Sequence, residues 1–175
     1  PVLCFGGLLA RRFVHLRFDD AFRRRSCSKF ARLTRSPPGL MKLVTFTHSH
    51  RRRVGVVEGD QVVDLAAAAP HLPQAMVAFL RCGADALGGA RRAAEGQKHR
   101  LALASVRLEA PVPRPGKVLA IGMNYGDHIR ETGRAAPEHQ VWFAKQASCI
   151  VGPNDAIRIP KVSDKIDYEA ELCVV

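Results

Sequence analysis

Lys117-Val118-Leu119-Ala120-Ile121-Gly122-Met123-Asn124-Tyr125-Gly126-Asp127-His128-Ile129-Arg130-Glu131 is the stretch on which the reading of this chain turns. Val118 to Ile121 is a short continuous apolar run, as in a buried strand, and Gly122 ends it. Asp127 to Thr132 then reads as a helix, on which His128 and Glu131 stand at i and i+3 and share a face. A carboxylate so placed can orient an imidazole and raise its basicity, as a general base that activates water near neutral pH requires. The plainer alternative is a surface contact pair, and spacing alone leaves both open.

Upstream, Pro111, Pro113 and Pro115 form a stiff, non-helical connector that marks a domain boundary, with a small α/β domain over 41–112 and a second over 113–175. From Met41 the run Lys42 to Thr47 alternates as a strand, Arg51-Arg52-Arg53 makes a polar turn, and Val54 to Glu58 reads as its partner. Gly59-Asp60 turns the chain into Gln61 to Leu65, completing a meander. Met76, Val77, Phe79 and Leu80 lie at helical spacing within 74–81, and an Ala-rich helix follows from Ala84 to about Glu95 despite Gly88-Gly89. Val106 to Leu108 returns as a strand. Downstream, 142–144, 149–151, 156–159 and 166–175 are strand-like, separated by Gly152-Pro153-Asn154-Asp155 and Pro160.

Composition bounds these readings. The 175 residues are 47% hydrophobic and 25% charged, which suits one domain or a small pair and excludes collagen, low-complexity disorder and a disulfide-dense scaffold. The longest apolar runs, such as Val2 to Ala10, fall far short of the ~20 residues that cross a bilayer, so no membrane span is expected. The net charge of +11 suggests an anionic partner, but its distribution is uneven. Residues 1–40 hold nine Lys and Arg against two Asp, a net +7, whereas 41–175 hold eighteen basic against fourteen acidic residues, a net +4. A nucleic-acid-binding module acting through the basic leader is therefore the rival reading. Because the strand segments do not interleave aromatic and basic residues, no nucleic-acid partner is expected. The leader's Arg, Ser and Phe resemble mitochondrial targeting, Asp19 and Asp20 argue against it, and a non-native segment is the alternative; after the Ser36-Pro37-Pro38-Gly39 breaker, folded structure is expected to begin near Met41. Five Cys, an odd count without a CxxC pair, suit a reducing compartment, mitochondrial or cytoplasmic.

In Asp167-Tyr168-Glu169-Ala170-Glu171-Leu172, strand periodicity puts Glu169 and Glu171 on one face, about 7 Å apart. Two such carboxylates repel unless water or a cation lies between them, and oxygen donors suit Mg²⁺, Mn²⁺ or Ca²⁺. A solvated edge-strand face is the alternative. Other candidates are weaker: His48 and His50 run into three Arg at an exposed turn, Cys149 has no nearby His-Asp partner and reads as a buried thiol, and Pro115-Gly116-Lys117 lacks the rest of a phosphate-binding loop.

Taken in order, Ile121 to Glu131, Phe143-Ala144-Lys145, Ile150 to Asp155, Ile159-Pro160 and Asp167 to Leu172 resemble the fumarylacetoacetate hydrolase family, and the match covers about Met41 to Val175. The resemblance implies an α+β protein: a small N-terminal domain followed by the start of a mixed β-sandwich roll. It implies Mg²⁺ or Mn²⁺ on Glu169, Glu171 and an Asp beyond Val175, so the chain is expected to be an N-terminal fragment. It implies a water-activating dyad of His128 and Glu131 on a lid, substrate contacts at Tyr125 and Lys145, and a homodimer at full length. The implied substrates are small 2-oxo dicarboxylates or acylpyruvates, converted through a metal-stabilised enolate by C–C hydrolysis, decarboxylation or, for oxaloacetate, tautomerisation; an inactive truncated product is the remaining alternative.

Overall fold

The computed structural model describes residues 3–4, 41–163, 165 and 171–175. The chain divides into two compact units, one formed by Pro1–Pro113 with Val151–Val175 and the other by Arg114–Ile150.

In the first unit, β1 (Leu3–Cys4) pairs with β9 (Cys173–Val174), so two residues of the expected leader enter a ladder. The main sheet begins with β2 (Lys42–His48) and β3 (Arg51–Glu58), antiparallel from Lys42↔Val57 to His48↔Arg51. The turn expected at Arg51–Arg53 lies instead at Ser49 and His50, whose φ values of 47° and 59° are both left-handed. A two-residue hairpin of that handedness matches the twist of the strands it joins, which is why the ladder runs through all three Arg. Neither turn residue is Gly or Asn, so composition gave no sign of it. The second turn, at Gly59-Asp60, lies where expected and leads into β4 (Gln61–Asp64). With β5 (Arg100–Ala102) on β4 and β6 (Arg107–Leu108) on β2, the order is β5-β4-β3-β2-β6, antiparallel throughout.

Leu65 was expected to end a strand but starts α1 (Leu65–Ala68), because the Asp64 carboxylate accepts the Ala66 N–H at 3.0 Å and caps the helix. α2 (Met76–Arg81) and α3 (Gly83–Glu95) follow. Together the helices cover one sheet face: Val54, Val56, Val63, Leu65, Leu72, Met76, Phe79, Ala86 and Ala90 form one buried cluster. Full burial of a Val, Leu or Phe contributes about 1.5–3 kcal/mol, so this cluster is the main source of the unit's stability. The other face closes over Gly55, where a Cβ would lie 2.6 Å from Val62 Cγ1 and 2.8 Å from Phe46 Cε1, so the sheet curls and Phe46 and Val62 are fully buried. Arg53 pairs there with buried Asp64.

The second unit is an antiparallel pair, β7 (Val118–Gly122) and β8 (Val141–Lys145), in register from Val118↔Lys145 to Gly122↔Val141, with α4 (Gly126–Thr132) between them in sequence. No residue of this unit is buried. The protein is α+β, as expected, but several strand-like stretches do not form strands. Residues 147–149 make a single 3₁₀ turn, 156–159 are irregular, and of 171–175 only Cys173 and Val174 pair. A strand exists through its ladder, and among the described residues 156–159 have no ladder partner.

Candidate functional site

β7 delivers the chain to Met123, which takes a left-handed φ of 52° and redirects it into α4. Tyr125 is the N-cap, extended at φ −106°, and its carbonyl accepts the Ile129 N–H at 3.1 Å. Gly133, at φ 64°, ends the helix after seven residues. His128 and Glu131 therefore stand on one short helix with the expected spacing, both exposed. No hydrogen bond joins them; the ion pair on this helix is Asp127 with Arg130, also at i, i+3 and exposed. The imidazole and the Glu131 carboxylate both face water.

The remaining expected residues fall as follows. Tyr125 is 42% exposed at the start of α4. Lys145 ends β8 with its ammonium 5.7 Å from the Phe143 ring centroid, a cation–π contact. These two belong, with His128 and Glu131, to the second unit; Glu171 belongs to the first unit and is exposed. Glu169 and Tyr168 lie outside the described residues. Among the described residues no group of three or more His, Cys, Asp or Glu comes together to hold a metal. The donor chemistry nonetheless fits a hard divalent cation, since the exposed Glu171 carboxylate offers oxygen ligands and, among the described residues, no cation pairs with it.

A charged cluster was missed by the sequence reading. Arg107 on β6 donates to Asp155 Oδ1 at 2.8 Å, and the Gly152 N–H donates to Asp155 Oδ2 at 2.8 Å. The Arg107 hydrogen bond, followed by that from Gly152, holds the Asp155 carboxyl below its ordinary range, while the same pairing, with Glu109 adding, raises the guanidinium. The signal was present in Gly152-Pro153-Asn154-Asp155, a turn whose acidic residue can bond back to the backbone; nothing local pointed to Arg107, 48 residues away.

Residues 117–175 match the fumarylacetoacetate (FAA) hydrolase C-terminal family. Over 147 residues, 82% of the chain, it is 41% identical to the oxaloacetate tautomerase fahd2, mitochondrial, of Xenopus laevis, covering 46% of that protein. Over 143 residues, 79% of the chain, it is 43% identical to the oxaloacetate tautomerase FAHD2A, mitochondrial, of Bos taurus, again covering 46%. Among solved structures, the maleylpyruvate hydrolase from Sphingobium sp. SYK-6, in complex with manganese(II) and pyruvate, aligns with a TM-score of 0.53 and 31% identity over 68% of this chain and 42% of that one. The chain spans about half the length of the curated relatives it matches.

Proposed function

The chain belongs to the fumarylacetoacetate hydrolase family, and from that premise we propose that it is part of a Mg²⁺- or Mn²⁺-dependent mitochondrial enzyme that interconverts the keto and enol forms of oxaloacetate. Of the three reactions open to the sequence, tautomerisation is favoured by one observation: the 41–43% identity to proteins named as oxaloacetate tautomerases, sustained over about four-fifths of this chain. Decarboxylation and C–C hydrolysis, each of which would release an enolate as a C–C bond breaks, remain the competitors.

His128 takes a proton from the carbon beside the 2-oxo group, and a proton returned to the oxygen completes the enol. Glu131 orients the imidazole when a substrate draws the two side chains together. Lys145 presents an ammonium to a carboxylate of the dianionic substrate, and Tyr125, at the start of the same helix as His128, offers a hydroxyl to its oxygens. Glu169 and Glu171 would hold a divalent cation, which would supply Lewis-acid polarisation of the 2-oxo acid when bound.

The test uses this chain continued by the unmatched remainder of the Xenopus laevis relative, with the oxaloacetate keto–enol equilibrium followed by ultraviolet absorbance. General-base help is worth roughly 100- to 10,000-fold, so His128→Ala should cut turnover by at least about 100-fold, and Glu131→Ala by less, with Mn²⁺ affinity within a few-fold of the parent. Undiminished turnover in His128→Ala would exclude the assignment, and pyruvate as the dominant product would make the enzyme a decarboxylase.

A further inference from the structure

α3 carries two adjacent glycines, Gly88 and Gly89, in its interior, where glycine is the least favourable residue after proline. Neither takes a left-handed φ, so the backbone conformation requires neither of them. Gly89 is explained by packing, since a Cβ there would lie 3.1 Å from Leu72 Cδ2 and crowd the leucine. Gly88 is not, because a Cβ would meet only Arg92 Nη1, at 3.4 Å, the far end of an exposed side chain. What the missing side chain leaves is space. Gly88 lines a cleft of about 670 Å³ within the first unit, and small-molecule sites run to about 300–1,000 Å³. Leu72, Pro73 and Ala86 give this cleft its apolar lining, and His71, Asp85 and Arg92 its polar groups.

Two of those polar groups carry opposite charges on one stripe of α3, where Asp85, Gly88 and Arg92 stand at i, i+3 and i+7. The guanidinium reaches back one turn to Gly88, yet it does not pair with Asp85. Among the described residues neither side chain makes any other hydrogen bond or ion pair. Opposite charges held apart beside an apolar lining complement a molecule that joins a carboxylate, an ammonium and an aliphatic group. We propose that this cleft binds a small zwitterion of the α-amino-acid class, with its carboxylate on Arg92, its ammonium on Asp85 and its side chain against Leu72, Pro73 and Ala86. A simple anion would meet repulsion from Asp85, and a simple cation repulsion from Arg92. None of these residues belongs to the candidate site on α4 and β8, so the inference is independent of the reaction proposed above.

The test titrates L-leucine into the 175-residue chain and follows the Gly88 and Gly89 amides by nitrogen–proton NMR. These amides should shift and saturate with a dissociation constant of about 1 mM or tighter. Two analogues, 4-methylpentanoate and 3-methylbutylamine, each keep the aliphatic group and one charge; each should bind at least about tenfold more weakly, as loss of a charged hydrogen bond implies. Glycine, which keeps both charges and lacks the aliphatic group, should also fall at least about tenfold. Asp85→Asn and Arg92→Gln should each weaken L-leucine at least about tenfold, and Gly88→Leu should abolish its binding, with circular dichroism unchanged in all three. Gly88→Ala should raise the thermal unfolding midpoint by a few degrees, since the helix gains and nothing is crowded. Absence of saturable shifts at Gly88 and Gly89 up to about 10 mM L-leucine would overturn the proposal. So would equal affinity for 4-methylpentanoate, which would make the cleft a plain anion site, or binding indifferent to both charge variants. A lower unfolding midpoint in Gly88→Ala would overturn it as well, because the glycine would then serve packing.

Discussion

The strand pairs β2–β3 and β7–β8 are made of similar residues and end in opposite states. In the first, Val54 and Val56 are buried and Phe46 is wholly enclosed; in the second, not one side chain is buried. The difference lies in what surrounds them. Within 41–113 the chain supplies α1, α2 and α3 as a second layer and β4, β5 and β6 as neighbours, so apolar pattern and burial agree. Within 114–150 it supplies one seven-residue helix with no buried residue. An apolar strand states what it needs against it, and only the rest of the chain or a partner can meet that need.

The largest effect that could break this contrast is side-chain truncation. Phe79→Ala, deep in the first unit, should cost about 3–5 kcal/mol in urea unfolding followed by circular dichroism. Phe143→Ala, the same deletion on β8, should cost under about 0.5 kcal/mol in the 175-residue chain. Comparable losses would mean that the hairpin already has a core.

The same asymmetry governs what was legible beforehand. The meander, the helix at 83–95 and the return strand at Arg107–Leu108 follow from period and turn residues, because their partners lie within about 60 positions and are all present. The hairpin turn at Ser49-His50 was hidden because neither residue is the Gly or Asn that usually marks a left-handed turn, and a serine seldom takes that conformation. In the candidate site, α4 and the placement of His128 and Glu131 on it were readable from the Gly122 turn and i, i+3 spacing. Which pair on that helix bonds was not, because i, i+3 spacing holds equally for His128 with Glu131 and for Asp127 with Arg130, and it is the latter that pairs. Glu171 could be read as a ligand type, but a metal site is assembled from distant segments, and no local pattern reports which others arrive.

Backbone crowding gives a smaller test. A Cβ at Gly55 would lie 2.6–2.9 Å from Val62, Phe46 and the Val63 carbonyl, so Gly55→Ala forces the closed face apart and should cost about 1–3 kcal/mol. A Cβ at Gly122 would meet Phe143 at 3.6 Å, an ordinary contact. Gly122→Ala should therefore change stability by less than about 0.5 kcal/mol, measured by the same urea titration. A large loss at Gly122 together with none at Gly55 would reverse the assignment of packed and unpacked strands.

The smallest expected effect concerns the point where the chain returns to the first unit, which is held by charge rather than by apolar burial. Arg107 on β6 and the Gly152 N–H both donate to Asp155, and they hold its carboxyl below the ordinary aspartate range. A folded-state pKa below the unfolded one means that the contribution is fully present above the unfolded value, about 3.9, and is lost as pH falls through the lower folded value. The pair is exposed on the Arg107 side, so salt should weaken it. A carbon-detected titration of the Asp155 carboxyl should give a midpoint below that of an ordinary aspartate. Arg107→Ala should move it upward, though not fully, because Gly152 still donates. The Gly152 amide should lose exchange protection over the same acid range in the parent, and at higher pH in Arg107→Ala. A midpoint indifferent to Arg107 would show that the turn at 152–155 holds itself, and that the return of the chain to the sheet is fixed by the local backbone alone.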